Sequence, residues 1–410
     1  MILKIAWRNL WRNKRRSIII QSSVVVGVAA IILLDSLSNG MLVQMLNNQI
    51  NTSVAHIQIH KNGFKDNKLV KNFIGEPEKV KSVIDRTSHV KAYSERVISF
   101  GLISSASNSS GVYINGIDPD QESKVSIMSA FIKKGNYITS KGNDDKMLRE
   151  IVIGEKLADK LNVDIGDKVV LLSNTPDGSI GSDLFRVSGI FKTFSSEIDN
   201  SLVYIPLKSA QRLLEIGDNI HEIALILDDY KFADNVRDDI RKNLSDDYEV
   251  LSYSDNLPLL VIQLDFYKQS AYIITVIVSI ALIFGIINTM LMAVMERIRE
   301  FGVLKSIGMK NSKLFFMILT EAFILGVSGT IIGALLAILI YLPLSHTGID
   351  FSIFAASLES FGVGAIIYPV LLLENVINTL LTIPLVAALG AIYPAYRAIK
   401  LEPVYALRYV

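Results

Sequence analysis

The sequence predicts an α-helical membrane protein with four transmembrane helices and a large α/β extracytoplasmic domain inserted between the first and second spans. Three observations predict this fold class. Half of the 410 residues are hydrophobic and only 20% are charged, below the roughly one quarter that soluble chains carry. Four separate stretches are apolar over about 20 residues, the length that crosses a bilayer. A long segment with strand-like and helix-like patterns separates the first two stretches.

The same composition excludes several classes of protein. The formal net charge is +1, so the basic excess of a nucleic-acid-binding protein is missing. The chain has no Cys, which excludes disulfides, thiolate metal sites and a cysteine nucleophile.

The chain begins with a basic amphipathic segment, residues 1–16, which we predict to be a cytoplasmic helix. The first span follows at residues 17–45. Its apolar run is longer than the core of a signal peptide and no A-x-A cleavage site follows, so the sequence favours a retained anchor.

The remaining boundaries follow from hydropathy. We predict the extracytoplasmic α/β domain over 46–266, the second span over 267–295, a cytoplasmic helix over 296–313 (the coupling segment), the third span over 314–343, an extracytoplasmic loop over 344–374, the fourth span over 375–396 and a cytoplasmic tail over 397–410. Pro384 predicts a kink in the fourth span. The apolar patch 360–373 is too short to span and is predicted to be re-entrant or interfacial.

The distribution of Lys and Arg predicts the orientation. Basic residues precede the first span, lie in the coupling segment and follow the fourth span, whereas residues 344–374 contain none. Because cytoplasmic loops carry an excess of Lys and Arg, both termini are expected in the cytoplasm.

The inserted segment reads as mixed α/β. In "VAHIQIHK" and "GVYINGI", apolar and polar residues alternate with period two, as in half-buried strands. "LFRVSGIF", "SLVYIPL" and "EIALILDD" read as further strands, and residues 230–244 form an amphipathic helix pattern. His56 and His60 have a spacing that on a helix would hold a metal. Since they lie in an alternating strand and no third ligand accompanies them, a polar strand face is the favoured interpretation. Residues 135–149 read as a surface loop.

No catalytic or metal site is predicted. "GVLKSIGMKNS" contains the Gly, Lys and Ser of a phosphate loop, but the spacing differs from G-x-x-x-x-G-K-[ST] and no strand precedes it. No G-x-S-x-G elbow occurs either. We therefore expect no cofactor bound by this chain.

Glu321 and three glycines mark the third span. An ionised carboxylate at mid-membrane costs about 2.5–3.5 kcal/mol. Either Glu321 lies at headgroup level and pairs with Lys310 or Lys313, or it fixes the angle between the span and the coupling segment. Gly326, Gly329 and Gly333 lie on one side of the helix in a small-xxx-small pattern, which predicts close helix packing.

These motifs carry a resemblance to a known family. "ERIREFGVLKSIGM", followed by Glu321, Gly329 and Gly333, resembles the signature of the type VII ABC transporter permeases, the MacB/LolC/LolE/FtsX superfamily. The closing "YPAYRAIKLEPVYALR" is also similar to that family, as is the opening "AWRNLWRNKRRS". The matching residues of the coupling segment are Glu296, Arg297, Arg299, Glu300, Gly302, Leu304, Lys305 and Gly308, and those of the closing motif are Pro394, Ala395, Ala398, Pro403, Ala406, Leu407 and Arg408.

Within the superfamily, the inserted domain resembles most the lipoprotein-releasing LolC/LolE branch. "INGIDPDQE", Asp199 after "GIFKT" and Gln211 in "SAQRLL" carry this resemblance. FtsX-type members have a smaller outer domain, and MacB carries a fused ATPase, for which the short segment before the first span leaves no room.

The resemblance implies a permease subunit of the bacterial inner membrane that is itself no enzyme. Its implied partners are a cytoplasmic ABC ATPase dimer that uses ATP and Mg, a second permease copy in a homo- or heterodimer, membrane lipid, a lipoprotein substrate and a periplasmic carrier. The matching residues of the coupling segment would dock the ATPase. A substrate cavity between the first two spans is guessed at Val24, Val28, Ile31, Ile280 and Ile287.

Two alternative functions remain open. One is a MacB-like exporter permease for drugs, peptides or other amphiphiles. The other is an FtsX-like regulator that transports nothing and relays ATPase motion to an extracytoplasmic partner.

Overall fold

The computed structural model describes residues 14–139, 149–360 and 362–400. Most of the predicted helix 1–16, part of the predicted loop 135–149, and the closing residues Pro403, Ala406, Leu407 and Arg408 lie outside the described residues. The chain divides into two compact units. The membrane unit comprises Met1–Val43, Gln263–Asp350 and Ile366–Val410, and the inserted domain comprises Gln44–Ile262 and Phe351–Ala365.

The helices and strands are numbered in chain order. The α-helices are α1 (Lys14–Gln49), α2 (Pro77–Ile84), α3 (Pro119–Val125), α4 (Glu155–Leu161), α5 (Ser196–Ser201), α6 (Leu207–Leu213), α7 (Ala233–Asn243), α8 (Tyr253–Asn256), α9 (Pro258–Glu296), α10 (Ile298–Ser306), α11 (Asn311–Thr347), α12 (Ala355–Ser360), α13 (Leu373–Gly390) and α14 (Ile392–Ile399). The strands are β1 (Ile57–Lys61), β2 (Val90–Ser104), β3 (Ser109–Ile117), β4 (Ile132–Gly135), β5 (Glu150–Gly154), β6 (Lys168–Asn174), β7 (Ile180–Phe191), β8 (Leu202–Pro206), β9 (Glu222–Leu227), β10 (Tyr248–Ser252), β11 (Ile349–Asp350) and β12 (Ile366–Ile367).

Four helical stretches are long and apolar enough to cross a membrane, as the sequence predicts. They are α1, which a π-helical turn over Ile50–Val54 continues, α9, α11, and α13 together with α14. The second of these helices begins at Pro258, earlier than the predicted residue 267. Apart from Phe351–Ala365, the inserted domain lies between the first and second spans in the chain, so the predicted fold class is confirmed.

The fourth span is interrupted at Ala391, and the kink predicted at Pro384 stays a prediction. Pro384 lies inside α13, which continues to Gly390, and the interruption falls at Ala391. There the amide of Ala391 is shared between the carbonyl oxygens of Ala387 and Ala388, at 3.2 and 3.1 Å, so a tighter turn separates the two helices.

The segment between the third and fourth spans forms no re-entrant helix in its described part. Residues 349–350 and 366–367 pair as an antiparallel hairpin, and α12 lies between them. The amide of Val370 donates to the carbonyl of Ser36 at 2.8 Å, which attaches this segment to α1. Residues 362–372 contain no helix, which disfavours the re-entrant alternative for the patch 360–373, and the interfacial alternative stays a prediction.

The inserted domain is built on one mixed sheet in the order β10-β1-β9-β2-β3-β8-β5-β7-β4, with β6 pairing to β2 and β7. The pairs β3–β8 and β5–β7 are parallel, and the others are antiparallel. The long strand β2 is the central element, since its first half pairs with β9 and its second half with β3 and β6. One face of the sheet buries the main core, which includes Ile59, Val97 and Ile223.

Candidate functional site

The coupling segment contains a short helix with defined ends. Helix α10 starts after Arg297 and stops at Gly308, whose φ of +93° is a left-handed conformation that favours glycine. The amides of Gly308 and Met309 donate back to the carbonyls of Lys305 and Leu304, both at 3.0 Å, as at many helix C-termini. The predicted helix over 296–313 is therefore shorter, and a turn connects it to α11.

One face of α10 is packed into the membrane unit. Ile298, Phe301 and Gly302 are buried, and Phe301 is only 1% exposed. Its ring belongs to an apolar cluster with Met290 of α9 and Met317 of α11. Burying an aromatic ring stabilises this contact by about 2–3 kcal/mol, so α10 is held against the spanning helices.

An ion pair joins the start of α10 to the third span. The Nη1 atom of Arg297 lies 3.2 and 3.1 Å from the two carboxylate oxygens of Glu321, and both side chains are about nine-tenths buried. Arg297 also donates to Glu300 at 3.1 Å and lies over the ring of Phe301 at 5.1 Å. The sequence interpretation that paired Glu321 with Lys310 or Lys313 gave the wrong partner, since the structure assigns that role to Arg297.

A hydrogen bond connects α10 to the end of the fourth span. The ammonium group of Lys305 donates to the carbonyl oxygen of Ile399 at 2.7 Å. Ile399 is the last residue of α14, where carbonyl groups lack partners within the helix and a cation is favourable. The coupling segment therefore contacts both the third and the fourth span.

The opposite face of α10 is exposed and mixes charge with apolar surface. Glu296, Arg299 and Glu300 are exposed there. Val303 is 42% and Ile307 is 79% exposed. Leu304, which the sequence motif also named, is only partly exposed and packs against the apolar cluster instead. An exposed isoleucine among charges of both signs is a surface suited to a protein partner.

The three glycines of α11 lie where other helices approach closely. A Cβ at Gly329 would lie 2.9 Å from the side chain of Val24, and one at Gly333 would lie 2.8 Å from the carbonyl oxygen of Val25. A Cβ at Gly326 would lie 2.8 Å from the Cβ of Ala387. The missing side chains therefore allow α1 and α13 to approach α11, within one copy of the chain.

The residues guessed to line a substrate cavity do not come together in this structure. Val24, Val28 and Ile31 are buried against neighbouring helices, and Val28 is in contact distance of the Gly333 position. Ile280 is 48% exposed, while Ile287 is half-buried. The two valines pack against the small residues of α11, and the substrate cavity stays a prediction.

Sequence reasoning missed two groups of residues. It named Arg297 and Glu321 separately, although a charge inside an apolar span is itself a signal to search for a partner. It also missed Arg96 of β2, a buried arginine that organises the polar face of the sheet in the inserted domain. The alternating polar positions of β1, Gln58 and His60, were the available signal for that face, and the sequence predicted them correctly as a strand face.

Comparison with known families agrees with this architecture. The chain matches the family model of the MacB-like periplasmic core domain over residues 17–243 and that of the FtsX-like permease C-terminal region over residues 272–403. The first match alone covers more than half of the chain. The chain thus belongs to the type VII ABC transporter permeases, the MacB/LolC/LolE/FtsX superfamily.

Individual relatives include both lipoprotein-releasing and exporting proteins. The chain is 25% identical to the lipoprotein-releasing system transmembrane protein LolC of Xylella fastidiosa over 305 residues, covering 72% of each chain. It is also 25% identical to the lipoprotein-releasing system transmembrane protein LolE of Haemophilus influenzae over 399 residues, and this match covers 93% of this chain and 91% of the relative. It is also 25% identical to the pyoverdine export ATP-binding/permease protein PvdT of Pseudomonas syringae, covering 82% of this chain and 51% of the relative.

Among solved structures, the periplasmic region of MacB from Actinobacillus actinomycetemcomitans is similar with 17% identity and a TM-score of 0.36. The match covers 53% of this chain and 97% of that one.

Proposed function

We propose that this chain is the permease subunit of an ABC transporter that extracts lipoproteins from the outer leaflet of the inner membrane toward a periplasmic carrier. The observation that carries this proposal is the two-faced coupling segment. One face of α10 is bonded to the spanning helices through Arg297 and Lys305, and the other presents Val303 and Ile307 among charges. A separate cytoplasmic ATPase dimer docks on the exposed face, and that partner, not this chain, uses ATP and Mg.

A displacement of α10 is transmitted to α1 through side chains that pack against one another. The Arg297–Glu321 pair transmits it to α11, and the glycine contacts transmit it from α11 to α1. Close-packed interiors transmit small displacements because they contain few voids and are hardly compressible. Helix α1 leads directly into the inserted domain along the chain, so movement of α1 reaches the part of the protein that contacts the cargo.

The orientation assigned to the chain fits this role. The Lys and Arg residues of the coupling segment support a cytoplasmic position for it and for both termini, by the positive-inside rule. The inserted domain then lies outside the cytoplasmic membrane. A second permease copy, identical or related, completes the assembly.

The task requires an energy source. Removing an acyl chain from a bilayer costs about 0.8 kcal/mol per CH₂ group, so a lipid anchor with two or three chains is stably bound and its extraction requires work. ATP hydrolysis in the partner supplies that work.

The test is to copurify the chain with its ATPase and to identify bound cargo. We expect acylated proteins in the nucleotide-free complex by mass spectrometry, and their release when ATP is added. A matched sample of a variant with Ile307→Asp, which places a charge on the exposed apolar residue of α10, should lose the ATPase during copurification. Cargo without acyl chains, or no cargo at all, would contradict lipoprotein release, and retention of the ATPase by the variant would contradict the docking face.

The similarity to the pyoverdine exporter favours one second candidate, an exporter permease for a small amphiphile. The same purification distinguishes the two candidates. The complex of an exporter would retain a small molecule, and adding that molecule would stimulate ATP hydrolysis by the complex. Acylated protein would then have no effect on the ATPase rate.

A further inference from the structure

An exposed apolar stripe follows the fourth span and continues onto α14. Its members are each 42–64% exposed and recur about once per helical turn, and they are Leu381, Leu385, Leu389, Ile392, Tyr393 and Tyr396. Residues three and four apart lie on one side of a helix, so these side chains form one continuous surface. Helices α13 and α14 together are long and apolar enough to cross a membrane. An apolar surface along such a stretch is suited to contact with lipid chains.

The other side of α14 is packed, which fixes the direction that its exposed side faces. Pro394, Ala395 and Ala398 are buried. Ala395 and Ala398 belong to the apolar cluster that also contains Met317 of α11. Since one side of α14 is held in this cluster, the exposed stripe ends on a side of α14 that no described helix covers.

Two cations lie over the two tyrosine rings at the end of this stripe. The guanidinium carbon of Arg397 lies 6.0 Å from the ring centroid of Tyr393, and the ammonium nitrogen of Lys400 lies 4.8 Å from that of Tyr396. Both cations are exposed. Neither forms an ion pair with a residue in the described part of the chain, in contrast to Arg297. The rings therefore orient two cations whose charges are available to an external anion.

The order of side chains along the fourth span matches the layers of a membrane. Leucines come first, tyrosines follow, and cations come last, as in spans whose aromatic rings lie at headgroup level and whose Lys and Arg extend toward the headgroups. Between residues 373 and 400, all of which the structure describes, the single acidic residue is Glu374, at the opposite end. The fourth span thus places no carboxylate beside Arg397 and Lys400.

We propose that the exposed side of α14 binds an anionic membrane phospholipid, whose acyl chains lie along the exposed stripe and whose phosphate contacts Arg397 and Lys400. The two cations are three residues apart on the helix, so one phosphate can contact both. Continuity with the apolar surface of the span favours a lipid over a protein partner on this side. The proposal is independent of what the chain transports, because it concerns the chain and the membrane alone.

The test titrates the full chain in detergent micelles with phosphatidylglycerol and follows the midpoint of thermal unfolding. We expect a saturable rise. Phosphatidylcholine with the same acyl chains carries no net charge and should give a much smaller rise. Inorganic phosphate should have no effect, because it lacks the chains that the exposed stripe contacts. Equal protection by both lipids would show that headgroup charge is not recognised, and protection by inorganic phosphate would assign the cations to a free anion.

Charge variants locate the effect at α14. Arg397→Gln and Lys400→Gln should each raise the half-saturating concentration of phosphatidylglycerol about fivefold, the contribution of one basic residue near an anionic surface. The matched control is the double variant Arg241→Gln with Lys242→Gln. It removes one Arg and one Lys from exposed positions of α7 in the inserted domain and should leave the titration unchanged. An equal loss in the control would reduce the effect to net charge.

Ring variants test whether the tyrosine orients the cation. Tyr396→Phe keeps the ring beneath Lys400 and should preserve the affinity for phosphatidylglycerol. Tyr396→Leu removes the ring at an exposed position and should weaken binding about two- to fivefold. Unchanged titrations in both charge variants would overturn the proposal. So would loss of the copurifying ATPase in these variants without any change in the lipid titration, because that result would assign this side of α14 to a protein.

Discussion

The guanidinium of Arg297 lies 3.1 Å from the carboxylate of Glu321, and this pair joins the coupling segment to the third spanning helix. Either charge alone is unfavourable in an apolar span, whereas the pair satisfies both. The contact makes the coupling segment part of the helix bundle, so its orientation is fixed by the fold.

The first prediction concerns that pair. Glu321→Gln should lower the free energy of unfolding by about 3 kcal/mol, because Arg297 keeps its charge and loses the more buried of its two carboxylate partners, Glu321 and Glu300. The double variant Arg297→Met with Glu321→Leu should recover most of the stability while ATP-driven release stays impaired. Thermal unfolding in detergent and cargo release by the reconstituted complex measure the two effects. Arg299→Ala, at an exposed neighbour, is the stability control. A double variant that is no more stable than Glu321→Gln would contradict a direct interaction.

The second prediction concerns the end of the coupling helix. Gly308 has a φ of +93° and open space around its Cα, so a substitution there acts through the backbone and not through a clash. Gly308→Ala should lower stability by about 1 kcal/mol, the cost of a left-handed alanine. It should also reduce coupling of ATP hydrolysis to release. Gly285→Ala in α9, also without close neighbours but helical, is the matched control and should leave stability equal or higher.

A third prediction separates two glycines of α11. A Cβ at Gly329 would lie 2.9 Å from both the Cβ and the Cγ1 of Val24, and Val24→Gly removes both atoms. A Cβ at Gly333 would meet the backbone oxygen of Val25, which no substitution removes. Relative to the single Val24→Gly and Val28→Gly variants, Gly329→Ala should therefore be rescued by Val24→Gly, and Gly333→Ala should not be rescued by Val28→Gly. Unfolding midpoints in detergent test this, and equal rescue at both positions would show that backbone contact does not limit the approach of α1.

The fourth prediction concerns the pH dependence of the inserted domain. Burial lowers the pKa of His221 from 6.5 to about 4, and the neutral ring accepts from the amide of Ile98 while bonding the carbonyl of Val70. Between these two pH values the unfolded chain binds a proton that the folded chain does not. Stability is therefore full above pH 6.5 and falls as the pH drops toward 4, by roughly 3 kcal/mol in total.

Variants isolate this histidine. His221→Gln keeps a donor and an acceptor in place, so the acid-induced loss of stability between pH 6.5 and 4 should become smaller than in the wild type. His346→Gln, at an exposed histidine, should leave the pH profile unchanged. Identical profiles for the His221 variant and the wild type, measured by thermal unfolding at stepped pH, would exclude this group as the cause.

The strands of the inserted domain show where sequence patterns were sufficient. Strand β1 was predicted from its period-two alternation, because one of its faces is in the core and the other is polar. Strand β2 was missed although it is the longest. Arg96 and Val97 are both fully buried, because one face of β2 packs in the apolar core and Arg96 on the other face pairs with Glu122 and Glu222. Buried and exposed positions therefore do not alternate along this part of the strand.

Local sequence patterns were sufficient to predict the four spans, the inserted α/β domain and the position of the coupling segment. Hydropathy over about 20 residues and strand periodicity are local properties, which any stretch of chain carries with it. Three contacts could be known only from the folded chain: Arg297 is the partner of Glu321, Val24 fills the space at Gly329, and Arg96 joins Glu122 to Glu222. These pairs lie far apart in the chain, and their energies depend on which helices and strands become neighbours.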